Sequence, residues 1–82
     1  MSITEKRTYG SIDEFLNARY QTNAYSARSQ TRKKIEYAKT SGNNRFVISL
    51  GGARLRNGYH VFWNLYGTIF ADGHIETVKV GV

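Results

Sequence analysis

The sequence predicts an α+β fold, with one or two N-terminal helices packed on a three-stranded antiparallel β-meander. Three observations carry this. A capping-box tetrad, Ser11-Ile12-Asp13-Glu14, opens an apolar stripe of helical spacing. No glycine or proline interrupts the chain between Gly10 and Gly42. Beyond it, two turn dipeptides, Asn57-Gly58 and Asp72-Gly73, separate runs rich in β-branched and aromatic residues.

Residues 1–10 read as a polar lead-in to a single domain covering 1–82, because a chain of 82 residues has room for one core. Residues 11–41 form the helical, basic segment. Ser11 is placed to accept a backbone N–H, Glu14 to reach back toward the cap, and both acids to complement the helix dipole. Ile12, Phe15, Leu16 and Tyr20 then fall at i, i+3, i+4 and i+8, which predicts a helix over 12–20. The polar run 21–30 weakens a helix without forbidding it, so the segment is one long helix or two. Two are preferred, with Asn23 or Ser29 as the second cap and an end near Thr40, where Gly42 supplies a left-handed residue. Ala24, Ala27, Thr31, Ile35 and Ala38 make a narrow face of small residues on that second helix.

Residues 45–80 form the meander. If Asn57-Gly58 and Asp72-Gly73 are two-residue type I′ loops, Leu50 faces Leu65, Phe46 faces Ile69, and Leu65 faces Val80. Side-chain alternation then puts Phe46, Ile48, Leu50, Val61, Trp63, Leu65, Ile69, Val78 and Val80 on the core face, with Trp63 over Gly52. Phe62, Tyr66, Phe70, Ile75, Thr77 and Lys79 fall on the other face, with Lys79 opposite Tyr66. Gly51-Gly52 reads as a bulge or bend in the first strand.

Charge narrows the partner. Twelve Lys and Arg against six Asp and Glu give a net charge of +6, which favours nucleic acid or an acidic protein. Residues 19–39 hold six basic residues and only one acid, Glu36. Arg28, Arg32, Lys33, Lys34 and Lys39 are therefore the first candidates for phosphate contact, with Arg54 and Arg56 beside the Asn57-Gly58 turn as helpers. The row Phe62, Tyr66 and Phe70 is the candidate face for a partner or for a homodimer.

Other chemistry finds no support in the residues. There is no cysteine, so disulfides and thiolate metal sites are excluded, and the format points to a cytoplasmic setting. His60 and His74 lie on different strands without carboxylates at ligand spacing, so no metal or other cofactor is expected. No apolar run is long enough to span a bilayer, and MSITEKR lacks a signal-peptide pattern, so no membrane role is expected. Asp13, Glu14 and Asp72 are accounted for by capping and turns, and Gly51-Gly52-Ala53-Arg54 lacks the spacing of a phosphate-binding loop. The expectation is a non-enzymatic binding module that contacts nucleic acid through 28–39. The alternative is a small inhibitor or adaptor that docks on an acidic protein surface, a format familiar among accessory proteins of phages and mobile elements. A homo-oligomeric structural protein is the third reading.

Overall fold

A computed structural model describes residues 3–81. It is α+β, with element order β1 (Ile3–Tyr9), α1 (Ile12–Arg19), α2 (Tyr25–Thr40), β2 (Arg45–Arg54), β3 (His60–Ile69) and β4 (Ile75–Gly81). The sheet has four strands, not three, in the order β1-β4-β3-β2, and every neighbouring pair is antiparallel. Residues Ile3–Tyr9 of the expected lead-in are therefore an edge strand, residues 1 and 2 lie outside the described residues, and the helices lie between strands in the chain. β1 carries no apolar stripe that would mark it. It supplies instead the Ile, Thr and Tyr that suit a pleated backbone and the charges that suit an edge.

The helical segment divides into two helices. Ser11 Oγ accepts the Glu14 N–H at 3.1 Å, and Glu14 Oε2 accepts the Gly10 N–H at 2.8 Å. Helix α2 starts without the expected side-chain cap, since its N-cap is Ala24. Its end is as expected, with Gly42 left-handed at φ 78°. On α2, Thr31, Ile35 and Ala38 are buried, Ala24 is half-buried, and Ala27 is exposed.

Both hairpin loops depart from type I′. That geometry needs positive φ at both central residues, yet Asn44 is the one non-glycine residue with positive φ among the described residues. Only Gly58 and Gly73 are left-handed, at φ 89° and 93°. The turns run Leu55–Gly58 and Phe70–Gly73, closed by Gly58 N–H to Leu55 O and Gly73 N–H to Phe70 O, with the glycine as the bulge residue. Each loop thereby gains a residue and each register slips by one. Arg54 pairs with His60, and Ile69 with Ile75.

The slip has different consequences on the two sides. On β2 the expected bulge occurs between Ser49 and Gly51, with Gly51 at φ 82°, and it adds a second shift. Two shifts restore parity, so Phe46 and Ile48 stay on the core face, with Ile48 now opposite Leu65. On β4 there is no second shift, and every side chain changes face. Ile75 and Thr77 are buried, while Val78 and Val80 turn to the opposite face. Lys79 stands opposite Leu65, not Tyr66.

Helices α1 and α2 cover one face of the sheet. Phe15, Leu16, Ile35, Ala38, Phe46, Leu65, Ile69 and Ile75 form the core between them. Three aromatic rings of the sheet lie on glycines directly across from them. Phe46 covers Gly67, Trp63 covers Gly81, and Phe62 covers Gly52, so the ring over Gly52 is Phe62 rather than Trp63. Each glycine removes the Cβ that the ring would otherwise meet.

Gly67→Ala is expected to destabilise the protein by about 1–3 kcal/mol, because a methyl there enters the Phe46 ring. Denaturant unfolding measures this, and Phe46→Leu in the Gly67→Ala background should recover part of the loss.

Candidate functional site

The predicted basic helix is divided by its contacts. Arg28 and Arg32 are one turn apart and both reach α1. Arg28 donates to Asn17 Oδ1, and Arg32 donates to Asp13 Oδ1 at 2.7 Å. The Arg32 hydrogen bond and charge hold the Asp13 carboxyl below its ordinary range. Lys34 turns the other way, and its Nζ donates to the Val47 carbonyl of β2 at 2.9 Å. Three of the five candidate cations on 28–39 therefore tie α2 to its neighbours. Lys33 and Lys39 are exposed and make no hydrogen bond or ion pair among the described residues. At about 100° per residue the basic side chains encircle α2 and do not form one stripe.

The other two candidates stand elsewhere. β4 pairs with β3 only as far as Gly81 opposite Trp63. Beyond that point, among the described residues, β2 and β3 pair only with each other, as a two-stranded arm running from Gly52 and Phe62 to the turn at Asn57-Gly58. Every residue of 51–60 is exposed. The arm carries Arg54, Arg56, Tyr59 (71% exposed), His60 and Phe62 (59% exposed). Arg54 Nε and His60 Nε2 lie 3.2 Å apart across the strands, and the His60 ring meets Phe62 edge-on at 6.1 Å. No acidic residue occurs between Glu36 and Asp72, so the arm and both its strands are free of negative side chains.

Alternation places Arg54, His60 and Phe62 on the sheet face opposite the helices. Neither helix covers this face. Its central cross-strand row is Lys6–Val78–Tyr66–Val47, and the next row toward the Phe70–Gly73 turn is Thr8–Glu76–Thr68–Arg45. Tyr66 and Val47 are exposed. Phe70 lies beyond the paired strand, where its ring stacks on His74 at 4.2 Å. It therefore belongs to the β3–β4 turn more than to a continuous row with Phe62 and Tyr66.

His74 is held by Asp72 through Nδ1 and by Glu76 at 3.2 Å through Nε2. Hydrogen bonds to these two carboxylates raise its pKa above the ordinary imidazole value, and the backbone and side-chain hydrogen bonds from His74 lower that of Asp72. Two acids on one histidine at a turn make a local clamp. Among the described residues, no group of three or more His, Asp and Glu side chains is arranged to hold a metal ion, and no helix is long and apolar enough to cross a membrane.

Sequence reasoning found Arg54 and Arg56 but missed the arm's Tyr59, His60 and Leu55, and missed Lys6 and Arg45 on the open face. The absence of acids across 37–71 was a signal for the arm. Lys6 had no signal, because its strand was not anticipated. No protein-family model, no curated protein and no solved structure matches the chain.

The sign of the pH response follows from the raised His74 pKa. Its contribution to stability is complete below the unfolded value of about 6.5 and is lost as pH rises through the folded value. An NMR titration should place His74 above the ordinary imidazole value. Between about pH 6 and 8, His74→Gln should flatten the fall in thermal stability. Arg32→Ala should leave the denaturant midpoint nearly unchanged, since the Asp13 pair is exposed.

Proposed function

We propose that this protein is a non-enzymatic nucleic-acid-binding module that reaches into the duplex with the β2–β3 arm. The observation that carries this is the acid-free arm, two-stranded among the described residues, with Arg54, Arg56, Tyr59 and His60 on it. A major groove about 12 Å wide and 8.5 Å deep admits a two-stranded ribbon. The three steps from Gly52 to Leu55, where the turn begins, span about 10 Å of extended backbone, comparable to the depth of the groove. Arginines at the tip suit guanine edges, and the exposed rings of Tyr59 and Phe62 offer apolar contact to bases. Lys33 and Lys39 are the free cations that α2 offers to phosphates. Arg28, Arg32 and Lys34 contribute to the field, but their hydrogen bonds serve the fold.

A second reading, an inhibitor or adaptor that docks on an acidic protein surface, is favoured by the open sheet face. Its apolar centre of Tyr66, Val47 and Val78 is flanked by the cations Lys6 and Arg45, with Glu76 beside Val78 on the same face. Nuclease treatment separates the readings: a partner from the native host that stays bound after it supports docking on protein.

Fluorescence anisotropy with a labelled duplex of about 20 base pairs tests the arm. Arg54→Glu/Arg56→Glu should weaken binding by about tenfold or more while the circular dichroism spectrum is unchanged. Lys33→Gln should weaken binding to all sequences alike and reduce the salt slope by about 0.9. Arm variants that bind as tightly as the parent protein would refute the assignment.

A further inference from the structure

The arm leaves a second feature unused. An open cleft of about 490 Å³ lies between α2 and the middle of β2. We propose that this cleft takes an extended acidic peptide segment of a partner protein, which adds to β2 as a fifth strand. The proposal does not depend on nucleic-acid binding.

Three observations carry it. First, β2 is an edge of the sheet, and its outer backbone groups can be identified. Ile69 N–H bonds to Asn44 O, so alternation turns Asn44, Phe46 and Ile48 toward β3 and Arg45, Val47 and Ser49 away from it. The Val47 carbonyl confirms the direction, since it accepts from Lys34 outside the sheet.

Second, this edge lacks the charged side chains that commonly guard one: between Arg45 and Arg54 the strand reads FVISLGGA. Its guard is Lys34, which comes from the helix and is movable.

Third, the lining selects charge. Arg19 and Lys34 line the cleft with Ala27, Ile48 and Leu50, and no acidic residue does. Tyr20 and Thr31 share a hydroxyl hydrogen bond of 2.6 Å that fixes its inner wall.

The exchange conserves hydrogen bonds. An incoming carboxylate takes the Lys34 ammonium, which releases the Val47 carbonyl to accept a peptide N–H. The Ser49 backbone adds further main-chain pairing. Helix-flanked strand addition of this kind draws affinity from the backbone and specificity from alternate side chains. Here alternate residues meet the apolar Ile48 and Leu50 and the cations Arg19 and Lys34.

The test uses a capped, fluorescein-labelled hexapeptide alternating Asp and Val, with the full-length protein. Anisotropy should saturate, and amide shifts in an isotope-labelled sample should centre on Val47 and Ser49. Arg19→Gln/Lys34→Gln should weaken binding by about tenfold, the scale of a lost charge-assisted hydrogen bond. Lys34→Met, which keeps the aliphatic stem, should lose a similar share. A peptide with Lys for Asp, or one N-methylated on its pairing residues, should not bind. Equal binding of the Lys peptide, shifts centred on the arm, or inorganic phosphate reproducing the same shifts in place of the peptide would each overturn the proposal.

Discussion

The fold depends on a chain of aromatic contacts that crosses the sheet beneath its helices. Tyr9 of β1 meets Phe15 of α1 edge-on at 5.3 Å, and Phe15 meets Phe46 of β2 at 5.7 Å. These three rings join the two edge strands through the shorter helix. The chain closes only because Phe46 lies down on Gly67 of β3. With a side chain at 67 the ring would stand up and lift Phe15, and with it α1. Fully burying a ring or a branched aliphatic chain is worth about 1.5–3 kcal/mol. Phe15, Leu16, Ile35 and Ile75, all completely buried, therefore supply much of the stability of a small core.

That packing also determines what the charges do. A helix with a thin apolar face cannot be held by burial alone, and α2 buries only Thr31, Ile35 and Ala38. Polar contacts on both flanks supplement it: Arg28 and Arg32 toward α1, and Lys34 toward β2. The density of positive charge on 28–39 is thus partly a structural requirement. Any one of these exposed contacts is weak. Together they set the rotation of α2 about its axis, which leaves Lys33 outward.

The legibility of the chain followed its local signals. The box at Ser11 and Glu14, the end at Gly42 and the bulge at Gly51 were readable because a few neighbouring residues carry each one. β1 was not, since ITEKRTY becomes a strand by pairing with a segment some seventy residues away. The hairpin error is the more instructive. Asn-Gly and Asp-Gly are compatible with both two-residue and three-residue loops, and the choice rests on whether Asn57 and Asp72 adopt positive φ. Neither does. One residue of slip was harmless on β2, where the bulge compensated, and inverted β4, where nothing did. At the site, Arg54 and Arg56 were identifiable as a basic pair. Their placement was not, because it depends on the register that the bulge and the three-residue loop give β2 and β3.

The same glycine logic that closes the core sets the base of the arm. Phe62 lies on Gly52, and a Cβ there would come within 2.8 Å of the ring; Trp63, one residue on, lies on Gly81 from the other face. Two consecutive aromatics of β3 thus clamp the arm's root from opposite sides of the sheet. Beside them the bulge at Ser49–Gly51 bends and twists β2 where, among the described residues, the ladder narrows from four strands to two. A free two-stranded hairpin is marginal in water, so an arm with an unbraced root would sample many directions. The ring-on-glycine contacts limit that freedom to the tip. Arg54 and Arg56 are therefore presented from a defined axis, and the proposed binding would cost less entropy for it.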